Sequence, residues 1–369
     1  MHIDITSIKS PRQHHYNLIE SLCNRSFLST GHEALNEQML LSLEQKVYGV
    51  PKDILKAGET FRSDQNLNLG ISFVCAYFGV VNRDTRNEGS TVSLSDLIRP
   101  LSETEIEIAL SEQNNLSYLQ LSYGYDKWYM ALVIPRDVPA TRYLAKELLL
   151  KGIREARNNG GGQLQLFAPM SSPLINEVAK ETAFTESFTL LSMKKQLSQD
   201  PRPFVVSSEK NNGAETEKVS IRPFQTGKDE NTWLELNKRA FAIHKEQGKW
   251  GLGDFLYREG KPWFDPAGLL ILEIENRPSG FCWTKILRQR PVPPYDIGEI
   301  YILGLDARYR GHGLGKTLLL AGIGFLEKSG ISTCYLYTDS ANETAIHLYQ
   351  SLGFTLDHQD KIYVLDIAE

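Results

Sequence analysis

The stretch from Gly298 to Lys316, GEIYILGLDARYRGHGLGK, constrains this chain more than any other. The apolar run Ile300-Tyr301-Ile302-Leu303 with Leu305 predicts a strand buried on both faces, and Thr317 to Lys328 carries helical spacing. Between them lies Arg310-Gly311-His312-Gly313-Leu314-Gly315-Lys316. A strand that runs through a glycine loop into a helix start is an anion site. The glycines let the backbone come close to a ligand without a Cβ in the way, and the free N–H groups of the first helical turn point at the guest. Arg310 and Lys316 add positive charge, so a pyrophosphate is the natural guest.

Two common phosphate-binding folds do not fit these residues. A P-loop needs Gly-x-x-x-x-Gly-Lys-Ser/Thr, and in the frame ending at Gly315-Lys316 the first position is Arg310. A dinucleotide-binding fold puts its glycines after the first strand of a βαβ unit. Here they follow the fourth predicted strand of their domain.

Composition narrows the class further. A chain of 369 residues is too long for one small core and predicts two domains. Its 41% hydrophobic and 23% charged residues are those of a soluble globular protein. The net charge of −5, with no Lys/Arg-rich run, argues against nucleic acid as partner. Cys23, Cys75, Cys282 and Cys334 are scattered, with neither a C-x-x-C pair nor histidines at ligand spacing, so reduced structural thiols and no metal are expected. The N-terminus lacks an apolar signal core, and no apolar run nears the roughly 20 residues that span a bilayer. The expectation is a cytoplasmic monomer without a membrane partner.

Along the chain, residues 1–200 read as a mixed α/β unit. Strands are predicted at His2 to Ile8, Gly70 to Val81, Leu116 to Tyr123, Lys127 to Ile134, Gln163 to Ala168 and Phe188 to Leu197, with helices at Pro11 to Arg25, Glu33 to Tyr48, Thr141 to Asn158 and Ser172 to Thr182. Residues 201–217 have linker composition. The second unit, 218–369, opens with a strand at Val219 to Pro223 and a helix at Asp229 to Gln247, with a shorter helix at Asp254 to Glu259. Strands follow at Leu269 to Glu275, Gly280 to Leu287 and Gly298 to Leu305, the first two joined by a turn at Asn276-Arg277-Pro278-Ser279. A helix at 315–329, a strand at Thr333 to Thr338, a helix at Asn342 to Leu352 and a closing strand near Lys361 to Leu365 complete it.

The spacing Arg310-x-x-Gly313-x-Gly315, in the order β-α-α-β-β-β-α-β-α-β, resembles the acyl-CoA loop of the GNAT N-acetyltransferases. The first unit repeats that order approximately. The resemblance implies an α/β (α+β mixed sheet) fold of two tandem GNAT-like domains, with acetyl-CoA as co-substrate. It also implies that the amides of Arg310, Gly311, His312, Gly313, Leu314, Gly315 and Lys316 hold the coenzyme pyrophosphate. The backbone of Leu303, Gly304 and Leu305 would meet the acetyl-pantetheine arm. The run Asn342-Glu343-Thr344-Ala345-Ile346-His347 matches the segment in which Asn opens a helix beside the coenzyme, and Tyr349, seven residues on, would be proton donor to the departing thiolate. Glu299, where the fourth strand begins, is placed to act as base on the amine.

Phe241-Ala242-x-His244-x-Glu246-Gln247-Gly248, Gly280-Phe281-x-Trp283-Thr284-Lys285, Gly298-Glu299-Ile300-Tyr301 and Leu336-Tyr337-x-Asp339 look like the mycothiol synthase family of tandem GNAT enzymes. Its members acetylate the cysteinyl amine of a cysteine–glucosamine–inositol pseudodisaccharide, a small thiol-sugar amine. That resemblance implies that Glu246, Lys285, Glu299 and Tyr337 line the acceptor pocket, with Glu37 contributed by the first unit. Carboxylates and a lysine suit an acceptor rich in hydroxyls. Two other readings stay open on the residues alone: a GNAT acting on a peptide N-terminus or amino sugar, and a non-catalytic acyl-CoA sensor.

The first unit departs from the pattern. Where its loop is due, after Ile134, the chain reads Pro135-Arg136-Asp137-Val138-Pro139-Ala140-Thr141-Arg142-Tyr143, with no glycine, and each proline removes an amide donor. Calorimetric titration with acetyl-CoA is therefore expected to show one tight site per chain, and two equal sites would overturn this reading.

Overall fold

A computed structural model of the chain describes residues 2–9, 37–48, 71–82, 98–99, 116–134, 141–169, 172–198, 218–242, 247–288 and 296–368, with several positions between 11 and 23. Contacts group the chain into two compact units that interleave in sequence. Unit 1 takes Met1–Gly49, Ile71–Leu190 and Gln359–Glu369, and unit 2 takes Val50–Gly70 and Leu191–His358.

Unit 1 contains β1 (His2–Ile8), α1 (Glu37–Tyr48), β2 (Ile71–Asn82), β3 (Ile98–Arg99), β4 (Leu116–Gly124), β5 (Lys127–Val133), α2 (Thr141–Asn158), β6 (Gly162–Ala168) and α3 (Pro173–Glu181). Tyr125 and Asp126 both take positive φ, 51° and 65°, which gives the two-residue β4–β5 hairpin the turn that matches strand twist. β5 and β6 are parallel, so a crossover is required, and α2 supplies it. Leu144, Leu148 and Leu149 of α2 pack into a core with Leu119, Met130 and Leu166.

β7 (Thr185–Gln196) begins in unit 1 and ends in unit 2. Unit 2 continues with β8 (Val219–Pro223), α4 (Glu230–Ala240), α5 (Leu252–Glu259), β9 (Leu269–Ile274), β10 (Arg277–Leu287), β11 (Ile297–Leu305), α6 (Leu314–Lys328), β12 (Thr333–Asp339) and α7 (Glu343–Ser351). Its sheet runs β12-β11-β10-β9-β8, antiparallel except for the β11–β12 pair, which α6 connects. α6 lies very close to the sheet: a Cβ on Gly322 would stand 2.5 Å from the Cys282 sulfur and 3.0 Å from Ile300 Cδ1. Burial pushes the Cys282 thiol up to about 12, so this cysteine packs as an apolar side chain. Among the described residues no helix is long and apolar enough to cross a membrane.

Three expected elements differ. The turn between β9 and β10 is Glu275-Asn276, both at positive φ, rather than 276–279. Pro278 instead sits in β10 beside a register shift, where a missing N–H is tolerated. α4 ends at Ala240 instead of running to Gln247. The Asn237 amide bonds the Gln247 carbonyl at 2.6 Å, a pair that a continuous helix would hold about 15 Å apart, so the chain has folded back. The closing strand, β13, spans Thr355–Ile367 rather than 361–365. Its first half reads as polar, but Asp357 pairs with Lys194 at 2.6 Å, and His358 and Asp360 are buried. Its second half lies antiparallel to β6 in unit 1, Lys361 opposite Ala168 and Ile367 opposite Gly162.

Candidate active site

β11 and β12 pair only at Gly298–Cys334, Glu299–Tyr335 and Ile300–Leu336, although β11 continues to Leu305 and β12 to Asp339. Past Ile300 the two strands have parted. On its other edge β11 stays paired with β10 as far as Leu305–Gly280, with one irregularity: Trp283 faces Ile302 and Thr284 faces Ile300, so Tyr301 is an extra residue. Such a bulge raises local twist and bends its strand, here where β12 is left behind. The edge from Ile302 to Leu305, beyond the last β11–β12 pair, is a run of main-chain donors and acceptors that suits an extended ligand. Gly304 lies on that run because a Cβ there would stand 2.6 Å from the Phe281 ring.

Beyond Leu305 the chain turns on Asp306. This buried carboxylate accepts from the Arg308 guanidinium at 2.8 Å and from Arg239 at 3.0 Å, and it caps the short turn Ala307–Tyr309 through Arg308 N. The Arg308 contacts, joined by Arg239, hold its carboxyl well below the usual range. Arg310 ties the loop down as well: Nη2 donates to the Ala240 carbonyl at 2.6 Å at the end of α4. The expected phosphate-facing charge of Arg310 is therefore partly spent on fastening the loop.

Gly311 and Gly313 then take φ of +83° and +81°, and α6 starts at Leu314. Lys316 N and Thr317 N both turn back to the Gly313 carbonyl, whereas no described backbone acceptor takes the N–H of Gly311, His312, Gly313, Leu314 or Gly315. The loop is exposed. Free donors at a helix start, with the exposed Lys316 in its first turn, fit a diphosphate. Gly315 differs from its neighbours: a Cβ there meets only Leu348 at 3.8 Å and its φ is ordinary.

α7 stands on the β12 side of the opening. Asn342 caps it, its side chain accepting from Ala345 N at 3.2 Å, while Glu343, Thr344 and His347 are exposed. Tyr349 lies about two turns on from Asn342, 8% exposed, packed with Leu318, Leu319 and Phe354. Burial, and then the nearby Cys282, push its phenol up to about 12.

The other flank is a row across three strands. Lys285 lies opposite Glu299 and Glu299 opposite Tyr335, so the three side chains share one sheet face. Lys285 is buried, its Nζ 4.9 Å from the Trp263 ring and 5.3 Å from the Tyr301 ring. Tyr337, two residues beyond Tyr335, is 41% exposed and meets the His358 ring edge-on. Glu37 opens α1 in unit 1, with its side chain outside the described residues, and Glu246 lies outside them altogether. Trp263 and Tyr301 beside Lys285, and Arg258 bonded to Tyr301, were not among the expected site residues. Only Tyr301 carried a signal, its two-residue spacing from Glu299 on one strand.

The family model for the acetyltransferase (GNAT) family matches residues 232–354. A protein named mycothiol acetyltransferase from Thermobispora bispora is 34% identical over 277 residues, 73% of this chain and 90% of that one. Another of that name, from Kocuria rhizophila, is 36% identical over 248 residues, 63% of this chain and 79% of its own length. Among solved structures, a tandem GNAT protein from the clavulanic acid biosynthesis pathway matches with a TM-score of 0.59 at 12% identity, over 99% of this chain and 98% of that one. The fold is that of tandem GNAT proteins.

Gly313→Val puts a β-branched side chain at positive φ in the mouth of the loop. It is expected to weaken acetyl-CoA binding at least about 100-fold by calorimetry, a loss of several donor bonds, with the circular dichroism spectrum kept. Unchanged affinity would place the diphosphate elsewhere.

Proposed function

This chain belongs to the mycothiol acetyltransferase family, and from that membership we propose that it moves the acetyl group of acetyl-CoA onto the cysteinyl amine of a cysteine–glucosamine–inositol pseudodisaccharide. The observation that carries the reading is the parting of β11 from β12 after Ile300, one residue beyond Glu299. It supports a thioester lying along the free edge of β11 with its carbonyl beside that carboxylate.

Each end of the reaction then has a group suited to it. An α-amine has a pKa of about 7.7 to 8.0, so at neutral pH much of it is protonated, and Glu299 takes the proton directly or through water. Main-chain N–H groups near Leu303 meet the oxygen as charge develops on it; one such donor is worth about 100- to 1,000-fold in rate. Tyr349 is a donor throughout the working range, because its raised phenol stays protonated. It offers that proton to the departing sulfur, and the amine's own protons restore the balance as the amide forms. Lys285 and Tyr337 supply polar contacts to the sugar and inositol hydroxyls, joined in this reading by Glu246. No step is assigned to a metal, and the site is taken to work in the cytoplasm.

Incubation with acetyl-CoA and a panel of amines, followed by thiol release, tests the assignment. The pseudodisaccharide is expected to be the best acceptor, and a preference for a peptide N-terminus or a simple amino sugar would reassign the substrate. Glu299→Gln is expected to lower kcat about 100-fold or more, the usual scale for a general base, with acetyl-CoA affinity intact. Tyr349→Phe is expected to do the same to a similar degree. The wild-type pH profile carries a further test. A phenol raised to about 12 is still protonated at pH 10, so Tyr349 adds no alkaline limb there. A limb centred on about 10, the ordinary tyrosine value, that vanished in Tyr349→Phe would keep Tyr349 as the acid but contradict the raising of its phenol by burial, whereas unchanged turnover in Tyr349→Phe would remove it from the mechanism.

A further inference from the structure

Arg258 is fully buried on α5, and a buried guanidinium needs partners. It has them on three sides. Nε donates to the Tyr301 hydroxyl at 2.7 Å, Nη1 donates to the Asp254 carbonyl one helical turn back at 2.8 Å, and the plane lies over Trp250 at 3.8 Å from the ring centre. Tyr301 is the bulged residue of β11, two positions past Glu299, and its ring stands edge-on to Trp263 at 5.3 Å and to Trp283 at 5.5 Å. Trp263 and Tyr301 are also the two rings that flank the Lys285 ammonium. A contact chain thus runs from Arg258 through Tyr301 to Lys285, which lies directly across the strand pair from Glu299.

We propose that Arg258 is a positioning residue for the acceptor: by gripping the Tyr301 phenol it fixes the aromatic slot that holds the Lys285 ammonium, and so sets where that cation meets the acceptor's hydroxyls. A lysine is a compact charge on a flexible four-carbon stem and has no preferred direction of its own. Ring faces attract it and limit its rotamers, but only while the rings are themselves held. Packing against Trp283 and Trp263 confines the Tyr301 ring, and the bond to Arg258 fixes how far it reaches into the slot. The glycine loop shares none of these side chains and β11 offers the thioester only its main chain, so a side-chain change that keeps the Tyr301 backbone in place falls on the acceptor. This inference rests on the reading above that Lys285 and Glu299 face the acceptor.

The test uses Tyr301→Phe, which removes only the gripped hydroxyl, and Arg258→Met, which keeps much of the volume over Trp250. Both are expected to raise the acceptor KM about 10-fold, the effect of losing one oriented polar contact, and to leave the acetyl-CoA Kd within about twofold. Because the effect is routed through Lys285, Tyr301→Phe is expected to add nothing to the acceptor KM in a Lys285→Met background. Additive losses in that double variant, or an equal loss of acetyl-CoA affinity, would mean general loosening of the fold and overturn the proposal. So would an unchanged acceptor KM in both single variants. Should Arg258→Met prove insoluble, Tyr301→Phe and its double variant carry the test alone. A wild-type chain that ignores the pseudodisaccharide would overturn the acceptor reading itself, and this inference with it.

Discussion

A parallel strand pair that separates after three residues is the constraint on which the rest of unit 2 depends. Strand edges left without partners are costly when buried and sticky when exposed, so a parting inside a sheet has to be held open by something rigid. Two features do this. The bulge at Tyr301 bends β11 while β10 keeps it paired on the far side, and α6, whose Gly322 brings it close against β10 and β11, prevents the strand from relaxing back. The opening is thus a consequence of packing on both flanks.

The glycine loop continues the same structure. β11 delivers the chain to Asp306, whose ion pairs with Arg308 and Arg239 fix the turn, and Arg310 pins the loop to the end of α4. With these anchors, Gly311 and Gly313 can hold left-handed conformations while the amides that follow stay free for a ligand. A loop of this kind without its anchors would lose conformational entropy on every binding event. Fixing it during folding moves that cost away from the ligand.

Much of this was legible in the sequence, because the signals were local. Glycine spacing, apolar alternation and capping residues depend on neighbours a few positions away, and β11, α6, β12 and α7 fall within a residue or two of where periodicity puts them. What periodicity could not show was long-range. The bond from Arg258 to Tyr301 joins residues 43 apart, and nothing in the run GDFLYREG marks the arginine as interior rather than solvated. The polar first half of β13 hid a strand whose charges are matched by β7. Arg310 read as a phosphate ligand on charge alone, whereas its geometry also makes it a clamp. The expected contributions of Glu246 and of the Glu37 side chain fall on residues outside the described ones.

The two substrates are thereby met by different physics. In the proposed reading acetyl-CoA is gripped mainly by main-chain donors, on a strand edge and at a helix start, and such donors are insensitive to side-chain change so long as the glycines remain. In the same proposed reading the acceptor meets side chains: Glu299, Lys285 and Tyr337 on the sheet face, with aromatic rings and Arg258 packed behind Lys285. Side-chain sites discriminate because each buried polar group left unmatched by a wrong substrate costs free energy. The same division extends to the proton-transfer groups. Tyr349, the proposed donor, is sunk in the apolar cluster, where burial keeps its phenol protonated, while Glu299, the proposed base, stays partly exposed. A site built this way can change its amine by altering what packs behind Lys285 while leaving the machinery for the thioester intact.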